Sequence, residues 1–523
     1  MHKYFWIILI VLLAGFLRFW HLTQVPPSLN SDEVAIGYNA YSVIKTGRDE
    51  YNTPYPYTFR SFDDYKMPVY VYLVAGSMKL FGFGDFAVRF PSALLGTITV
   101  FFTYLLAYEL FKRRDAALTS AFLMAISPWS LQFSRTGYEA NVAVFFIVLG
   151  IYLFMKGLSR GVWLICSSVS FSAAVWTYLT PRIFVPLLVI SLGLLYRKEL
   201  LKKKNAVIVA VAVALVLLWP VARMSLSAQG QMRAAGVSAF SNTDDLKKSV
   251  SRLAVDKGIF RIFDNRRFTY AITFLRGYFA HFDPNFLFLD KSIEKYRAPD
   301  VGLLYLFELP LIVVGGYMMI RKRSRSSAVI FWWIAAAPVA AAFTLQLPHP
   351  VRTLVFLPMF QLLSALGLVN IWQRIRWSRI IIIAIIAFSF TYYVHQYFVF
   401  LPIEDAQYWY VGRREMSAEI TRLKSQYDTI YVSNALDFPY IFYLYYGRID
   451  PVWYQRQGGT VSGGFEEQGN RVGNVSFRSI NSSLQDPLKK ILFVGLPGEV
   501  FKQSRIYETI RYPDGTPAIV FFQ

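Results

Sequence analysis

Cysteine is almost missing from this sequence: Cys166 is the only one in 523 residues. That excludes an intrachain disulfide and a cysteine-built metal centre. Histidine is scarce too, and His2, His21, His281, His349 and His395 show no metal-ligand spacing. No glycine-rich loop leading into a helix is present to cradle a nucleotide phosphate. Acids are outnumbered, 33 against 54 Lys and Arg, for a net charge of +21. The basic residues fall in short clusters between apolar runs rather than along one soluble face, which argues against nucleic acid as partner. What the chain has in abundance is apolar surface: 55% hydrophobic and 17% aromatic residues, with a mean hydropathy of +0.37. A soluble enzyme of this length is less apolar, so the bilayer is the expected solvent.

A helix needs roughly 20 apolar residues to cross the hydrocarbon core. Such runs lie near 4–20, 90–111, 116–133, 140–155, 162–179, 183–196, 206–222, 301–320, 327–344, 351–372 and 379–401, which predicts about 11 transmembrane helices. The basic clusters at 112–114, 156–160, 197–204, 321–325 and 374–379 all fall on one side if 69–83 lies in the interface instead of spanning. That side is then the cytoplasm. The first segment has no small-residue cleavage site and reads as a retained span with a cytoplasmic N-terminus. The loops at 21–89, 134–139, 180–182, 223–300 and 345–350 are then extracytoplasmic. A membrane domain at 1–401 is followed by a soluble extracytoplasmic α/β domain at 402–523, with β-like runs at 429–433, 490–495 and 518–522. The expected location is the cell membrane, with membrane lipids as partners.

The chemistry-bearing residues all fall on the outer side. Asn30-Ser31-Asp32-Glu33 opens a helical pattern through Tyr38, Tyr41 and Ile44. Adjacent carboxylates there suit a general base or a divalent metal, and equally suit a helix cap, since Ser and Asp favour the cap and acids the first turn. Asp63, Asp64, Tyr65 and Lys66 precede the interfacial helix. They suit substrate positioning or phosphate binding, or simply a polar turn. Arg135 and Glu139 are four apart, which fits a substrate role or an intrahelical ion pair. Arg182 follows Pro181 at an outer helix end, where snorkelling would also place it. His349 and Arg352 bracket a proline turn just where a long apolar helix begins, a depth at which a charge needs a partner such as a lipid phosphate. A sugar transferase outside the nucleotide pool requires a donor already carried in the membrane. An outward base for the acceptor and outward cations for a departing phosphate fit that requirement.

Three stretches also resemble a known family. These are Ser31-Asp32-Glu33 after a single amino-terminal span, Lys66-Met67-Pro68 opening an aromatic helix, and Phe86-Ala87-Val88-Arg89-Phe90-Pro91-Ser92 before the second span. Together they look like the polyprenyl-phosphate-dependent glycosyltransferases of the GT-C fold, among them protein O-mannosyltransferases and lipid A aminoarabinose transferases. The resemblance covers about 1–200 in motif order and 1–401 in architecture, and implies that Asp32 is the catalytic carboxylate with Glu33 beside it. Where the aminoarabinose transferases have Glu-Lys-Pro, this chain has Tyr65-Lys66-Met67-Pro68. The 223–300 loop is also too short for the β-trefoil of eukaryotic O-mannosyltransferases.

Two function classes follow. The first is an inverting glycosyltransferase moving a sugar from a polyprenyl-phosphate donor to a hydroxyl of a lipid, glycan or protein. Asp32 and Glu33 would be catalytic, Arg352, His349, Arg135, Lys66 and Arg182 on the donor phosphate, and Asp63, Asp64, Tyr65 and Glu139 positioning substrate. The second is a transporter or flippase of lipid-linked glycans, which would place ionisable groups near the bilayer midplane.

Overall fold

In the computed structural model each of the apolar runs expected to span contains helix. The structure describes every residue except 1, 63, 228–242, 256–260, 262, 290–293, 376 and 462–468. The first helices are α1 (His2–Phe19), α2 (Ser31–Thr46), α3 (Pro68–Phe81), α4 (Asp85–Phe111), α5 (Arg114–Ile126), α6 (Pro128–Ser134), α7 (Glu139–Gly157), α8 (Val162–Thr177) and α9 (Pro181–Leu195). Among the described residues six helical stretches are long and apolar enough to cross a membrane: Asp85–Phe111, Glu139–Gly157, Lys204–Ser225, Arg325–Ala342, Leu354–Arg374 and Arg379–Glu404. Tyr4–Phe19, Val162–Thr177 and Pro181–Leu195 are apolar but shorter. With this many apolar helices the protein is an integral membrane protein.

The chain divides into two compact units. The first comprises Met1–Arg18, Leu94–Ser134 and Glu139–Tyr392. Its helices approach closely where glycine removes the side chain. A Cβ on Gly315 would lie 2.0 Å from the Leu363 carbonyl oxygen, and one on Gly367 would lie 2.2 Å from that of Leu311. The helices Glu308–Lys322 and Met359–Arg374 therefore cross nearly backbone to backbone, the small-residue packing that membrane helices favour.

The run 116–133, read from the sequence as one span, is two helices with a break at Ser127. Pro128 causes it, because proline lacks an N–H and drives the preceding residue out of the helical region; Ser127 has ψ 125°. The break leaves carbonyls at the end of α5 that lipid cannot hydrogen-bond. Protein donors take them: Arg18 donates to Ala125 O (3.2 Å) and Met124 O (3.4 Å), and the Tyr305 hydroxyl donates to Ile126 O (2.8 Å). Arg18 also reaches Ser130 Oγ at 2.8 Å and is wholly buried.

The second unit comprises Phe19–Ala93, Arg135–Tyr138 and Tyr393–Gln523. Its centre is a six-stranded sheet of order β4-β5-β3-β6-β8-β7, built from β3 (Thr429–Val432), β4 (Arg471–Val472), β5 (Val475–Phe477), β6 (Ile491–Gly495), β7 (Ile506–Arg511) and β8 (Pro517–Phe522). The three runs expected to be strands are β3, β6 and β8. Strand β3 lies parallel to both β5 and β6, and the remaining pairs are antiparallel. The apolar helix Pro439–Tyr446 packs on β5, with the Tyr440 and Tyr443 rings 6.5 and 6.0 Å from that of Phe477, and the amphipathic helix Arg413–Leu423 packs against Pro439–Tyr446.

Helix α2 packs on Pro439–Tyr446 in the same unit. Gly37 allows this contact, since a Cβ there would sit 2.6 Å from the Tyr445 ring. Tyr38 donates to Ile449 O at 3.3 Å, and Glu50 accepts from both Asn39 (2.8 Å) and Thr460 (2.8 Å). At the start of α4, Asp85 pairs with Arg414 and accepts from the Tyr446 hydroxyl. The first long loop and the carboxy-terminal region thus share one core, although 402–523 reads from the sequence as a separate domain.

Candidate active site

The cap of α2 is Asn30, where the sequence offered Ser and Asp. Its side-chain oxygen accepts from the Glu33 N–H (3.1 Å), while Glu33 Oε2 accepts from the Asn30 N–H (3.0 Å) and from Asn30 Nδ2 (3.1 Å). This capping box satisfies donors that would otherwise be orphaned at the first turn. It also sends the two adjacent carboxylates to different fates. Glu33 turns inward, where Arg89 Nε reaches Oε1 at 2.9 Å, Arg89 NH2 reaches Oε2 at 3.3 Å, and the Gly137 N–H donates to Oε1 at 2.7 Å. Five hydrogen bonds saturate a carboxylate, which offers about four lone-pair sites. Gly137 eases this contact, because a Cβ would crowd Glu33 Cγ at 3.0 Å.

Arg89 is equally saturated. Beyond Glu33 it donates to Leu22 O (2.9 Å), Pro26 O (2.8 Å) and Ser28 O (2.6 Å), so its five N–H groups have five acceptors. Nothing in the sequence reading singled out Arg89 as part of the site. The available signal was a lone cation in the first turns of a long apolar helix, where an unpaired charge is costly.

Asp32 turns the other way. Its side chain is 42% exposed, against 1% for Glu33, and its Oδ1 pairs with Lys66 Nζ at 2.9 Å. Lys66 is only 10% exposed. It stands on a short hairpin, β1 (Phe59–Ser61) with β2 (Asp64–Lys66), in register Phe59↔Lys66. Its ammonium donates to Ser61 Oγ at 2.8 Å and lies 5.2 Å from the centre of the Phe62 ring. Phe62 has φ 55° and stacks 4.1 Å from Phe438, itself at φ 53°. Such left-handed bulky residues persist only where the surroundings over-determine them. Asp64 and Tyr65 lie on β2, half-buried, and Asp64 accepts from the Tyr65 N–H at 2.8 Å. Asp63 lies outside the described residues.

The other expected site residues are placed as follows. Arg135 is buried, donates to His21 O (3.2 Å) and Val25 O (2.8 Å), and faces the Phe398 ring at 4.8 Å. Burial works against its charge and lowers its pKa. Arg135 and Glu139 do not share a helix, for α6 ends at Ser134 and α7 begins at Glu139. In the first unit, Arg352 NH1 donates to Thr344 Oγ1 at 2.6 Å, and Arg182 NH1 to Ser225 Oγ at 3.1 Å. The His349 N–H donates to His281 Nε2 at 3.2 Å, and His281 Nδ1 lies 2.7 Å from Gly277 O.

These bonds fix His281 as the neutral Nδ1–H tautomer, because Nε2 must accept. Burial, with Arg352 nearby, pulls His281 down to about 4 and His349 down to about 3. A phosphate contact by His349 at neutral pH would therefore be that of a neutral ring. The folded state binds fewer protons than the unfolded one between about pH 6.5 and 4. The contribution of neutral His281 is thus complete above 6.5 and lost as pH falls towards 4. We expect His281 alone to remove about 2 kcal/mol of stability between pH 7 and pH 5. Thermal unfolding at the two pH values, compared with His281→Leu, checks this; an equal pH response in the variant would exclude His281 as the cause.

Among the described residues no three His, Cys, Asp or Glu side chains converge as a metal site. Around Asp32 the nearest charge named above is an ammonium, which competes with a divalent cation for the same carboxylate.

Residues 65–223 match the family described as dolichyl-phosphate-mannose-protein mannosyltransferase. Among curated proteins, the chain is 26% identical over 227 residues to YkcB of Bacillus subtilis, covering 41% of this chain and 30% of that protein. It is 30% identical over 165 residues to YycA of the same organism, covering 30% and 23%. Both carry provisional mannosyltransferase names. The chain spans less than a third of the length of the curated relatives it matches. Among solved structures, ArnT from Cupriavidus metallidurans bound to undecaprenyl phosphate superposes with a TM-score of 0.58 at 15% identity, covering 99% of this chain and 98% of that one. The Archaeoglobus fulgidus oligosaccharyltransferase AglB, in complex with an inhibitory peptide and a dolichol-phosphate, gives 0.51 at 15%, covering 85% and 64%. Neither set of likenesses favours the transporter alternative. The chain has the GT-C fold of these membrane glycosyltransferases, and its residues 65–223 carry the sequence pattern of the dolichyl-phosphate-mannose-protein mannosyltransferase family.

Proposed function

We propose that this protein is an inverting glycosyltransferase that moves a sugar from a polyprenyl-phosphate donor to an acceptor hydroxyl of a lipid, glycan or protein on the extracytoplasmic face of the cell membrane. The observation that carries this reading is the divergence of the carboxylate pair: Asp32 stands partly exposed beside Lys66, on a helix start that Glu33 and Arg89 lock from behind. In the proposed reaction Asp32 takes the acceptor proton as the new bond forms at the anomeric carbon. The bond to phosphate breaks on the opposite side of the sugar, and the phosphate leaves with its electron pair, needing little acid assistance. Lys66 orients Asp32. Glu33 is a positioning residue rather than a second base, because its oxygens are saturated. Arg352 remains the candidate for the donor phosphate.

The same proposal takes about eleven crossings, a cytoplasmic N-terminus, and extracytoplasmic exposure of 402–523. Sugar transfer by the purified protein in vesicles, from polyprenyl-phosphate-linked sugars to a panel of acceptors, tests the activity. Failure with every donor would return weight to a transporter. Sidedness is tested separately in a Cys166→Ser background. Ser482→Cys should react with an impermeant maleimide in intact cells and Ser324→Cys should not; the reverse pattern would move Asp32 to the cytoplasm.

A further inference from the structure

Helix α7 runs from Glu139 to Lys156 and Gly157, and 19 residues of helix span about 28 Å. Its far end therefore lies near the membrane face opposite its Glu139 end. There the α7–α8 turn walls a cavity of ≈ 380 Å³, lined by Tyr152, Leu153, Lys156, Ser159, Arg160 and Trp163. That volume lies in the ~300–1,000 Å³ range of small-molecule sites. The charge around it is unbalanced. Glu109 pairs with both Lys156 and Lys112, and among the described residues Arg160 pairs with no acid. Three cations thus face one carboxylate.

The wall is preformed. Ser167 Oγ donates to Gly150 O and Ser170 Oγ to Phe146 O, each at 2.7 Å, which ties α8 to α7. The Ser159 and Arg160 N–H groups both donate to Lys156 O at 3.1 Å, which fixes the turn. Gly161 sits against the helix Lys204–Ser225, where a Cβ would meet Ala206 Cβ at 2.7 Å. A rigid turn presents its cations with little backbone ordering cost on binding.

We infer that this cavity binds the phosphate group of an anionic membrane lipid in the leaflet opposite the Glu139 end of α7. The cations match the phosphate, while Leu153 and the exposed Trp163 supply the apolar, interfacial rim that a lipid requires and a free ion does not. Such a site would bind a structural or regulatory lipid rather than the sugar donor.

Native mass spectrometry of the purified protein tests this, with phosphatidylglycerol as the probe and phosphatidylcholine as the neutral comparison. Wild type should retain phosphatidylglycerol preferentially, and Arg160→Gln and Lys156→Gln should each weaken retention about fivefold. Lys156→Arg, which keeps the charge that balances Glu109, should retain it. Equal retention by wild type and both Gln variants overturns the site. Displacement of the lipid by excess inorganic phosphate overturns the lipid assignment, since the cations alone would then account for binding.

Discussion

Asp32→Asn should lower turnover by about 10²–10⁴-fold, the usual worth of a positioned general base, while the protein stays folded. The capping box of α2 is made by Asn30 and Glu33, so altering Asp32 leaves that box intact. Asparagine keeps the size and still offers Lys66 an oxygen, but it cannot take the acceptor proton. The loss should therefore fall on kcat, with donor binding close to that of wild type. Lys66→Met should do less harm than Asp32→Asn if Lys66 only orients the carboxylate. The measurement is transfer by purified variants beside donor binding to the same samples. Intact transfer by well-folded Asp32→Asn protein removes Asp32 from the mechanism.

Arg89→Met should be among the most destabilising single changes in the second unit. It strands Glu33 as a buried charge and leaves the carbonyls of Leu22, Pro26 and Ser28 without their donors. Breaking a buried ion pair from one side costs about 3–5 kcal/mol. Glu33→Gln should also be costly, since it leaves Arg89 buried with one weaker partner. The double variant Arg89→Met/Glu33→Gln should be less destabilised than the sum of the two, because no lone charge remains. Thermal unfolding of the four proteins in one detergent measures the coupling. Additive losses would mean that the pair is held apart in solution, and an Arg89→Met protein as stable as wild type would show that the loop at 22–28 is organised by something else.

What the sequence made legible follows the range of the interactions involved. Apolar runs mark helices because hydropathy is local, and β3, β6 and β8 stand out because their β-branched and aromatic residues are contiguous. Asp32 and Glu33 were visible as a pair, but their division of labour was not: it depends on Arg89, 56 residues away from Glu33, and on the Gly137 N–H, 104 away. The hairpin that carries Lys66 has strands of three residues each, too short for an alternation pattern to register. The packing of α2 on Pro439–Tyr446 joins residues some 410 positions apart, as the bond from Thr460 to Glu50 does, and no local pattern encodes it. Pro128 was the one local signal in plain sight that a run counted as a single span would break.

That break bears on the order in which the protein is made. Arg18 emerges in the first helix, yet the carbonyls it serves at Met124 and Ala125 follow 106 and 107 residues later, and Tyr305, which completes the set, lies 179 residues beyond Ile126. During synthesis α1 therefore waits in the membrane with a guanidinium that has Ala14 O beside it while its other acceptors, at Met124, Ala125 and Ser130, do not yet exist. Insertion and packing are separate stages for membrane helices, and a charge at the end of the first helix can stay at the lipid headgroups until α5 arrives. The first helix is thus inserted early but finished late.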